Sequence, residues 1–395
     1  MEASHNLSSQ LDADGTKDEL PFSPPFIPED AITAVVECLR SGWVGTGPLT
    51  AQFEADFAAY LGATSAAAVS SCTSGLQLSL QALGISAGDE VITSSMTFCS
   101  TVNVIVHAGA TPVLVDVDPE TKNLSLDAVA RAISPATRAV IPVHYAGYPV
   151  DMGSLADFCQ ASGLLLVEDC AHAVEAMSSG RHVGLFGDAG VFSFYATKNL
   201  AIGEGGMVVS DSADLISRVA QQSLHGLTRD AWKRFSVSGR KTYDISGFGY
   251  KANMTDLQSS IGIVQLRNLE TNYVRRKEIW NYYLRELQGT GVELPKLPEG
   301  VGDRHALHLF TVGLPKRIDR DQLVQEISET EGLALGIHYK AIPDFKFYQQ
   351  QLGIQPADFP VATAWGRSCV SLSISPRLTD GDVERVVSSL KGKLS

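Results

Sequence analysis

Residues 164–172, LLLVEDCAH, join a short apolar run directly to two acids and a histidine. An apolar run bounded by turn residues is typical of a strand buried in a parallel sheet. Between about Thr64 and Ser210, similar runs alternate with helical patterns, which predicts βαβ units. We therefore expect an α/β fold in which helices sandwich a mostly parallel sheet. Its predicted strands are Ala66–Ser70, Val91–Ser94, Pro112–Val117, Ala139–Val143, Leu164–Glu168, Val191–Phe194 and Met207–Ser210.

The rest of the chain has a different pattern. Leu, Tyr and Trp residues recur at helical spacing over residues 266–287, which predicts a long amphipathic helix. Strand-like runs follow at Leu307–Leu314 and Leu333–Tyr339, with helical runs near Arg320–Glu331 and from about Asp380. This mixture indicates a smaller α+β domain.

A length of 395 residues exceeds one ordinary core, so two domains are expected. We assign residues 1–20 to a flexible polar tail, residues 21–260 to the large domain and residues 261–395 to the small C-terminal domain. The polar segment between Gly226 and Gly247 is longer than most connections. Segments of this kind are usually functional or disordered.

Composition excludes several classes of function. The net charge is −13 without any Lys/Arg-rich block, which argues against binding nucleic acid or anionic lipid. The six cysteines lack CxxC spacing, so neither a metal site nor a disulfide framework is expected, and the cytoplasm is the expected compartment. We find no apolar run of membrane-spanning length and no signal peptide, so neither membrane insertion nor export is expected.

Asp169 stands where a predicted strand ends, and ligands of open α/β sheets collect at such carboxyl ends. A carboxylate there can pair with the protonated pyridine nitrogen of a cofactor and keep its ring able to accept electrons. The alternative is that Asp169 caps the following turn.

Residues 71–75, SCTSG, follow a strand of small residues and open the helical run 76–83. Small residues allow the N–H groups of a helix start to approach a phosphate, and hydroxyl groups add donors. Serine and threonine are also the usual helix caps, so taken alone this stretch favours capping only.

Lys198 lies in residues 193–199, SFYATKN, after another predicted strand. A lysine there can reach a bound aldehyde and form a Schiff base, although most lysines are merely solvated. Phe98, soon after an earlier strand, can stack on a flat cofactor or lie in the core. A phosphate turn, a stacking ring, an acid and a lysine in this order point together to pyridoxal phosphate.

These residues and their surroundings resemble the DegT/DnrJ/EryC1/StrS family of pyridoxal-phosphate-dependent sugar aminotransferases, which have fold type I. The resemblance covers nearly the whole chain. Its motifs are SGWVGTGP at 41–48 with Phe53-Glu54, GDEV at 88–91, Thr97-Phe98, PVH at 142–144, Glu168-Asp169, Ser193-Phe194 with Lys198, EGG at 204–206 and GYKANMTD at 249–256.

The resemblance implies roles for individual residues. Lys198 would form the Schiff base, Asp169 would pair with the pyridine nitrogen, Phe98 would stack on the ring, and His172 would lie near the phenolic oxygen. The implied phosphate ligands are Thr73, Ser74 and Ser193.

The resemblance also implies a homodimer with shared active sites, in which Asn253 or Lys251 reaches the neighbouring subunit's phosphate. The implied substrate contacts are Trp43, Thr46, His308, His338 and Tyr339. Leu307 stands where the similar sequences have tryptophan. For His305, His308 and His338, ordinary local hydrogen bonding is the alternative.

We therefore expect a ping-pong aminotransferase that moves an amino group from an amino acid, plausibly glutamate, to a nucleotide-linked keto-sugar. A keto-cyclitol or another secondary-metabolite ketone is an alternative acceptor. A sugar dehydratase of the same fold carries histidine in place of Lys198. An NAD enzyme is disfavoured because Gly45-Thr46-Gly47 lacks the third glycine, and a non-enzymatic relative is disfavoured by Lys198, Asp169 and Ser193 together.

Overall fold

The computed structural model describes residues 19–227 and 244–394. A seven-stranded sheet in the order β1-β9-β8-β5-β4-β2-β3 forms its centre, and only β9 runs against the other strands. All seven predicted strands are confirmed, with ends displaced by at most two residues. The observed strands are β1 (Ser65–Val69), β2 (Glu90–Ser94), β3 (Thr111–Val115), β4 (Thr137–Ile141), β5 (Leu165–Asp169), β8 (Ala189–Ser193) and β9 (Gly206–Ser210).

Helices cover the sheet, and alternate strand residues enter two separate apolar cores. Leu166 and Phe192 lie in one core, whereas their neighbours Val167 and Val191 lie in the other. This is the period of two that a sheet buried on both faces requires. The helices of this part are α1 (Glu29–Ser41), α2 (Pro48–Leu61), α3 (Cys72–Ala82), α4 (Cys99–His107), α5 (Leu126–Ala132), α6 (Met152–Ser162) and α7 (Ala213–Ser223), and a hairpin adds β6 (Met177–Ser178) and β7 (Arg181–His182).

A third apolar core lies in the C-terminal part, around Trp280, Tyr283 and Phe310. The predicted long helix is confirmed as the C-terminal part of a longer one, which a Thr255 capping box begins. The elements here are α8 (Asp256–Leu287), β10 (Phe310–Gly313), α9 (Arg320–Glu331), α10 (Lys346–Leu352), α11 (Pro360–Ser368), β11 (Cys369–Leu372) and α12 (Asp380–Leu394).

Two strand predictions in this part need correction. Leu333–Tyr339 is not a strand: Leu333 and Gly336 make isolated bridges, and the partner of β10 is β11, which the sequence did not reveal. Strand β10 is also shorter than predicted, because Leu307 takes a left-handed φ of 52° that breaks extended backbone before it.

The domain division remains a prediction, and its boundary at residue 260 lies inside the continuous helix α8. Of the predicted tail, residues 1–18 lie outside the described residues, as do residues 228–243 of the predicted loop. Within the described ranges, none of the helices combines the length and apolar character needed to cross a bilayer.

The two acids that end β5 point to opposite sides, as successive strand residues must. Glu168 is fully buried and its carboxylate accepts N–H groups from Gly184, Phe186 and Gly187 at 2.7–3.0 Å. Glu168 therefore buttresses a loop behind the sheet. Asp169 faces the other way, toward the carboxyl edge.

Candidate active site

Asp169 is a buried carboxylate at the carboxyl edge of the sheet, only 4% exposed. Its Oδ2 accepts the Thr101 hydroxyl at 2.8 Å and its Oδ1 accepts the Ala171 N–H at 3.1 Å. Burial raises the pKa of Asp169, and these two hydrogen bonds oppose the rise. Because both of these donors are neutral, they leave the negative charge of Asp169 available to stabilise a bound cation. The turn-capping alternative accounts for the Ala171 contact but not for Thr101.

Lys198 lies in a turn that follows β8 and is anchored by neighbouring core residues. Its own N–H donates to Tyr195 at 2.9 Å, while Phe194 is buried and pairs with Gly205 and Ile202. Removal from water lowers the pKa of Lys198 to about 8, although Cys72 and Asp169 act in the opposite direction. Near neutral pH a much larger share of this lysine than of an ordinary one is therefore an uncharged nucleophile, although the ammonium form still predominates.

The start of helix α3 lies beside this turn. Ser71 and Ser74 form a reciprocal capping box, so the capping interpretation of residues 71–75 is confirmed. Gly206 pairs with Ser193 across β8 and β9, and a Cβ on Gly206 would come within 2.6 Å of the Ser71 backbone. Ser193 and the exposed Thr73 thus both lie near the N-terminus of α3, where a phosphate could accept hydrogen bonds.

His172 and Tyr339 form a hydrogen-bonded pair at the same edge. The Ala146 N–H donates to His172 Nδ1 at 3.2 Å, so neutral His172 carries its proton on Nε2, which lies 2.7 Å from the Tyr339 hydroxyl oxygen. Burial lowers the pKa of His172 well below its usual value, with a further contribution from Lys198. The ring of Phe98 is 55% exposed and lies 5.7 Å from that of Tyr339, so Phe98 is not a core residue.

His308 lies beside Lys198 and next to His172, with its Nε2 3.5 Å from the lysine Nζ. The segment that carries it docks on the turn at residues 146–147, where Ala306 and Leu309 donate to backbone carbonyls at 2.8 and 3.2 Å. Gly147 permits this approach, because a Cβ there would lie 3.0 Å from the Ala306 Cβ. Burial lowers the pKa of His308 well below its usual value.

The other two histidines considered for the site, His305 and His338, make contacts within the protein. His305 Nδ1 accepts the Leu307 N–H at 2.8 Å and its ring packs on Trp280, which is the local structural role given as the alternative. His338 lies 2.9 Å from the Ser371 hydroxyl and packs against Phe22. Burial lowers the pKa of each histidine to about 3. Neither makes a contact that requires a ligand.

We call Asp169, His172, Lys198, His308 and Tyr339 the inner cluster. A second group of predicted site residues, the outer cluster, forms a chain of its own. Lys251 Nζ donates to Asn253 Oδ1 at 2.6 Å, and Asn253 Nδ2 donates to the Thr46 hydroxyl at 2.6 Å. Trp43 Nε1 donates to the Thr46 carbonyl at 3.2 Å. The outer cluster comprises Trp43, Thr46, Lys251 and Asn253.

Asp256 joins the two sequence motifs that contribute the outer cluster. This buried carboxylate accepts N–H groups from Gly47, Leu49 and Thr50 at 2.8–3.1 Å, together with the Thr50 hydroxyl. Residues 41–48 are thereby fastened to the start of α8. The motif at residues 41–48 thus has a structural role, which is to attach this segment to the start of α8.

Several site residues were missed from the sequence. Thr101 is the third residue of α4, and its place one helical turn after Thr97 was the available signal. A hydrogen-bonded chain continues from His308 through Asn199, Glu175 and Arg276. Nothing in the local sequence of these three residues singles them out. Arg276 is 1% exposed on α8 and contacts the fully buried Glu175, a pairing between distant parts of the chain.

Comparison with known proteins identifies the family of this chain. The model of the DegT/DnrJ/EryC1/StrS aminotransferase family matches residues 25–391. The chain belongs to this family. It is therefore a pyridoxal-phosphate-dependent transaminase of fold type I, as the resemblance had predicted.

Individual relatives agree with this assignment. The spore coat polysaccharide biosynthesis protein SpsC of Bacillus subtilis is 40% identical over 94% of this chain and 96% of its own. The aminotransferase TlmJ of Streptoalloteichus hindustanus has a TM-score of 0.86 at 35% identity, over 95% of this chain and 98% of its own. The putative sugar aminotransferase Spr1654 of Streptococcus pneumoniae, in its PLP form, has a TM-score of 0.86 at 31% identity, over 95% and 98%.

The residues present fit pyridoxal phosphate. Asp169 offers a buried carboxylate without a charged hydrogen-bonding partner among the described residues, Lys198 offers an amine of lowered pKa, and Gly206 lets β9 pack directly against the start of α3, which brings Ser193 near that helix N-terminus. These features correspond to the pyridine nitrogen, the aldehyde and the phosphate of the cofactor. Cofactor contacts by individual side chains remain predictions.

Proposed function

We propose that this aminotransferase transfers an amino group from glutamate to a nucleotide-linked keto-sugar in a ping-pong reaction. The observation that carries the transfer chemistry is Lys198, an amine of lowered pKa that shares one sheet edge with the buried Asp169. The sugar is supported by relatives: Spr1654 is described as a putative sugar aminotransferase, and PseC of Helicobacter pylori acts in the biosynthesis of pseudoaminic acid.

When bound, pyridoxal phosphate supplies an electron sink that stabilises negative charge on the substrate carbon. Lys198 Nζ would hold the cofactor covalently and, once displaced by the donor's amino group, would move a proton between carbon atoms. A pKa of about 8 suits both tasks, because the amine can take up and release protons near neutral pH.

Asp169 would keep the pyridine nitrogen protonated. Its neutral hydrogen bonds from Thr101, Ala171 and Cys72 fix the carboxylate without neutralising its charge. The hydroxyl oxygen of Tyr339 accepts a hydrogen bond from the Nε2–H of His172. The hydroxyl proton of Tyr339 therefore points elsewhere and can be donated to an oxygen in the site. Burial raises the pKa of Tyr339, which keeps this donor protonated.

We also propose that two copies of the chain share their active sites, with Asn253 or Lys251 reaching the phosphate held by the partner. The support is the family to which the chain belongs, because residues 249–256 resemble the family motif that contributes such a residue. In this chain the hydrogen bonds of the outer cluster join Thr46, Lys251 and Asn253 to one another. Trp43, Thr46, His308, His338 and Tyr339 remain the proposed substrate contacts. Phe98 would stack on the cofactor ring from its exposed position next to Tyr339.

The test uses the purified protein loaded with pyridoxal phosphate. Glutamate is added alone, and the visible absorbance of the bound cofactor is followed until it disappears. Keto compounds are then added singly: nucleotide-linked 3-keto- and 4-keto-sugars, free keto-sugars and keto-cyclitols. We expect the absorbance to return with a nucleotide-linked keto-sugar. Return only with a keto-cyclitol would replace the proposed acceptor by the alternative, and no loss with glutamate would refute the donor.

A further inference from the structure

We infer that His308 is a positioning residue for Lys198, and that a buried chain through Asn199, Glu175 and Arg276 fixes which ring nitrogen of His308 faces the lysine. The inference rests on the proposed role of Lys198 as covalent anchor and proton carrier. It means that His308 orients the amine of Lys198, in addition to the predicted contact with the substrate.

The chain begins with an ion pair that excludes water. The side chains of Arg276 and Glu175 are 1% and 0% exposed, and Arg276 Nη2 donates to Glu175 Oε1. Asn199 Nδ2 donates to the other carboxylate oxygen at 2.8 Å. Burial raises the pKa of Glu175, but both of its oxygens accept hydrogen bonds, which is the pattern of an ionised carboxylate.

Asn199 has only one orientation that fits its partners. Its amide nitrogen lies 2.8 Å from both Glu175 Oε2 and the Ala306 carbonyl, and a carboxylate and a carbonyl can only accept. The amide oxygen must therefore face His308 Nδ1, at 3.1 Å. Because that oxygen cannot donate, Nδ1 of His308 carries the proton.

Neutral His308 consequently presents the lone pair of Nε2 to Lys198 Nζ, 3.5 Å away. This distance is long for a hydrogen bond, and such contacts commonly tighten when a site binds its ligands. An N–H of Lys198 donated to this lone pair fixes the rotation of the amine. The lysine's own lone pair, once it is deprotonated, is then directed into the site.

The neighbouring His172 provides an internal contrast. Its ring lies 4.6 Å from that of His308, yet the Ala146 N–H fixes its proton on Nε2. The two adjacent imidazoles thus have opposite tautomers: His308 accepts toward Lys198, and His172 donates toward Tyr339. The other titratable groups that face Lys198 are Asp169, Cys72 and His338.

The first test reads the tautomers in the full-length, cofactor-free protein labelled with isotopic nitrogen in histidine. Long-range proton–nitrogen spectra should show a neutral ring protonated on Nδ1 that disappears in His308→Gln. The same signal should lose its Nδ1 preference in Asn199→Ala, whereas His305, which accepts at Nδ1, stays protonated on Nε2. A His308 ring protonated on Nε2 in the native protein overturns the inference.

The second test compares His308→Gln, which keeps an acceptor near the position of Nε2, with His308→Leu, which does not. We expect His308→Leu to lower kcat by about 10- to 100-fold, the range of a misplaced reacting group, with KM little changed and with most of the loss restored in His308→Gln. Acylation of Lys198 at neutral pH is quantified by peptide mass spectrometry in the cofactor-free protein. It should become severalfold faster in His308→Leu alone, because the ammonium form of Lys198 loses an acceptor and more of the amine is uncharged.

Equal kcat values and equal acylation rates in the two His308 variants would overturn the positioning role. Both acylation and the tautomer signal are read without turnover. They therefore test the inference even if the proposed donor and acceptor prove wrong.

Discussion

The inner and outer clusters were predicted together from the sequence, yet they differ in burial and in hydrogen bonding. The inner cluster is buried or half-buried, and burial shifts the pKa of Asp169, His172, Lys198 and His308. The outer cluster is half-buried or exposed and satisfies its polar atoms internally. The difference teaches that one chain brings the strongly shifted titratable groups together by itself, whereas the role proposed for the outer cluster depends on a second copy of the chain and needs a separate test.

The largest effect is expected from Lys198→Ala. Loss of the amine removes both the covalent attachment and the proton carrier, so kcat should fall by about 10⁴-fold or more, the upper range for a general acid–base group. Steady-state transamination with glutamate and the best acceptor measures it. Added small amines that restored no activity would be compatible with this account; undiminished turnover would not.

The second effect is expected from Asp169→Asn. An amide cannot balance a protonated pyridine nitrogen, so kcat should fall by about 10²- to 10³-fold, as when one electrostatic stabiliser is removed. The matched control is Asp116→Asn, an acid just beyond β3 that accepts the N–H groups of Val361 and Ala362 at 2.9 Å. That control should keep near-native kcat and lose only stability. Equal losses in both variants would remove Asp169 from the chemistry.

Asp169 and Lys198 of the inner cluster could be located from the sequence because strand ends are local features, whereas His308 and Tyr339 were indicated only by the family resemblance. Asp169, Lys198 and the Ser71 turn all follow apolar runs whose period of two or helical continuation is visible in the chain. The network behind His308 could not be predicted, since Arg276 and Glu175 meet only through tertiary packing. Strand β11 was missed for a similar reason: its four residues pair with a distant strand and follow α11 directly.

The third effect concerns the outer cluster and tests whether active sites are shared. In Asn253→Asp, a carboxylate would repel the phosphate, so cofactor affinity should fall by at least about tenfold, the loss of one hydrogen bond to a charged group. The inner cluster of such a chain remains intact.

Co-expression of Asn253→Asp with Lys198→Ala sharpens the comparison. In a mixed dimer with shared sites, one site combines native Lys198 with native Asn253, so activity should exceed the sum of the two variants measured separately. Purely additive activity would mean that Asn253 serves its own subunit.

The smallest effect is a change in acid stability from His305→Gln. The pKa of His305 is lowered to about 3 in the folded protein, so the unfolded chain binds more protons between about pH 6.5 and 3. Stability is therefore lost as pH falls through this window. His305→Gln should reduce the slope by up to about 1.4 kcal/mol per pH unit, measured by urea unfolding. An unchanged slope would mean that His305 is protonated in the native state.

The central claim is that Lys198 is the residue that bonds to pyridoxal phosphate. Borohydride treatment of the loaded protein followed by peptide mass spectrometry tests it most directly. We predict that the reduced cofactor is found on the peptide that contains Lys198, with loss of the visible absorbance band and of activity. Attachment to another lysine, such as Lys251 or Lys340, or activity that survives reduction, would contradict the account.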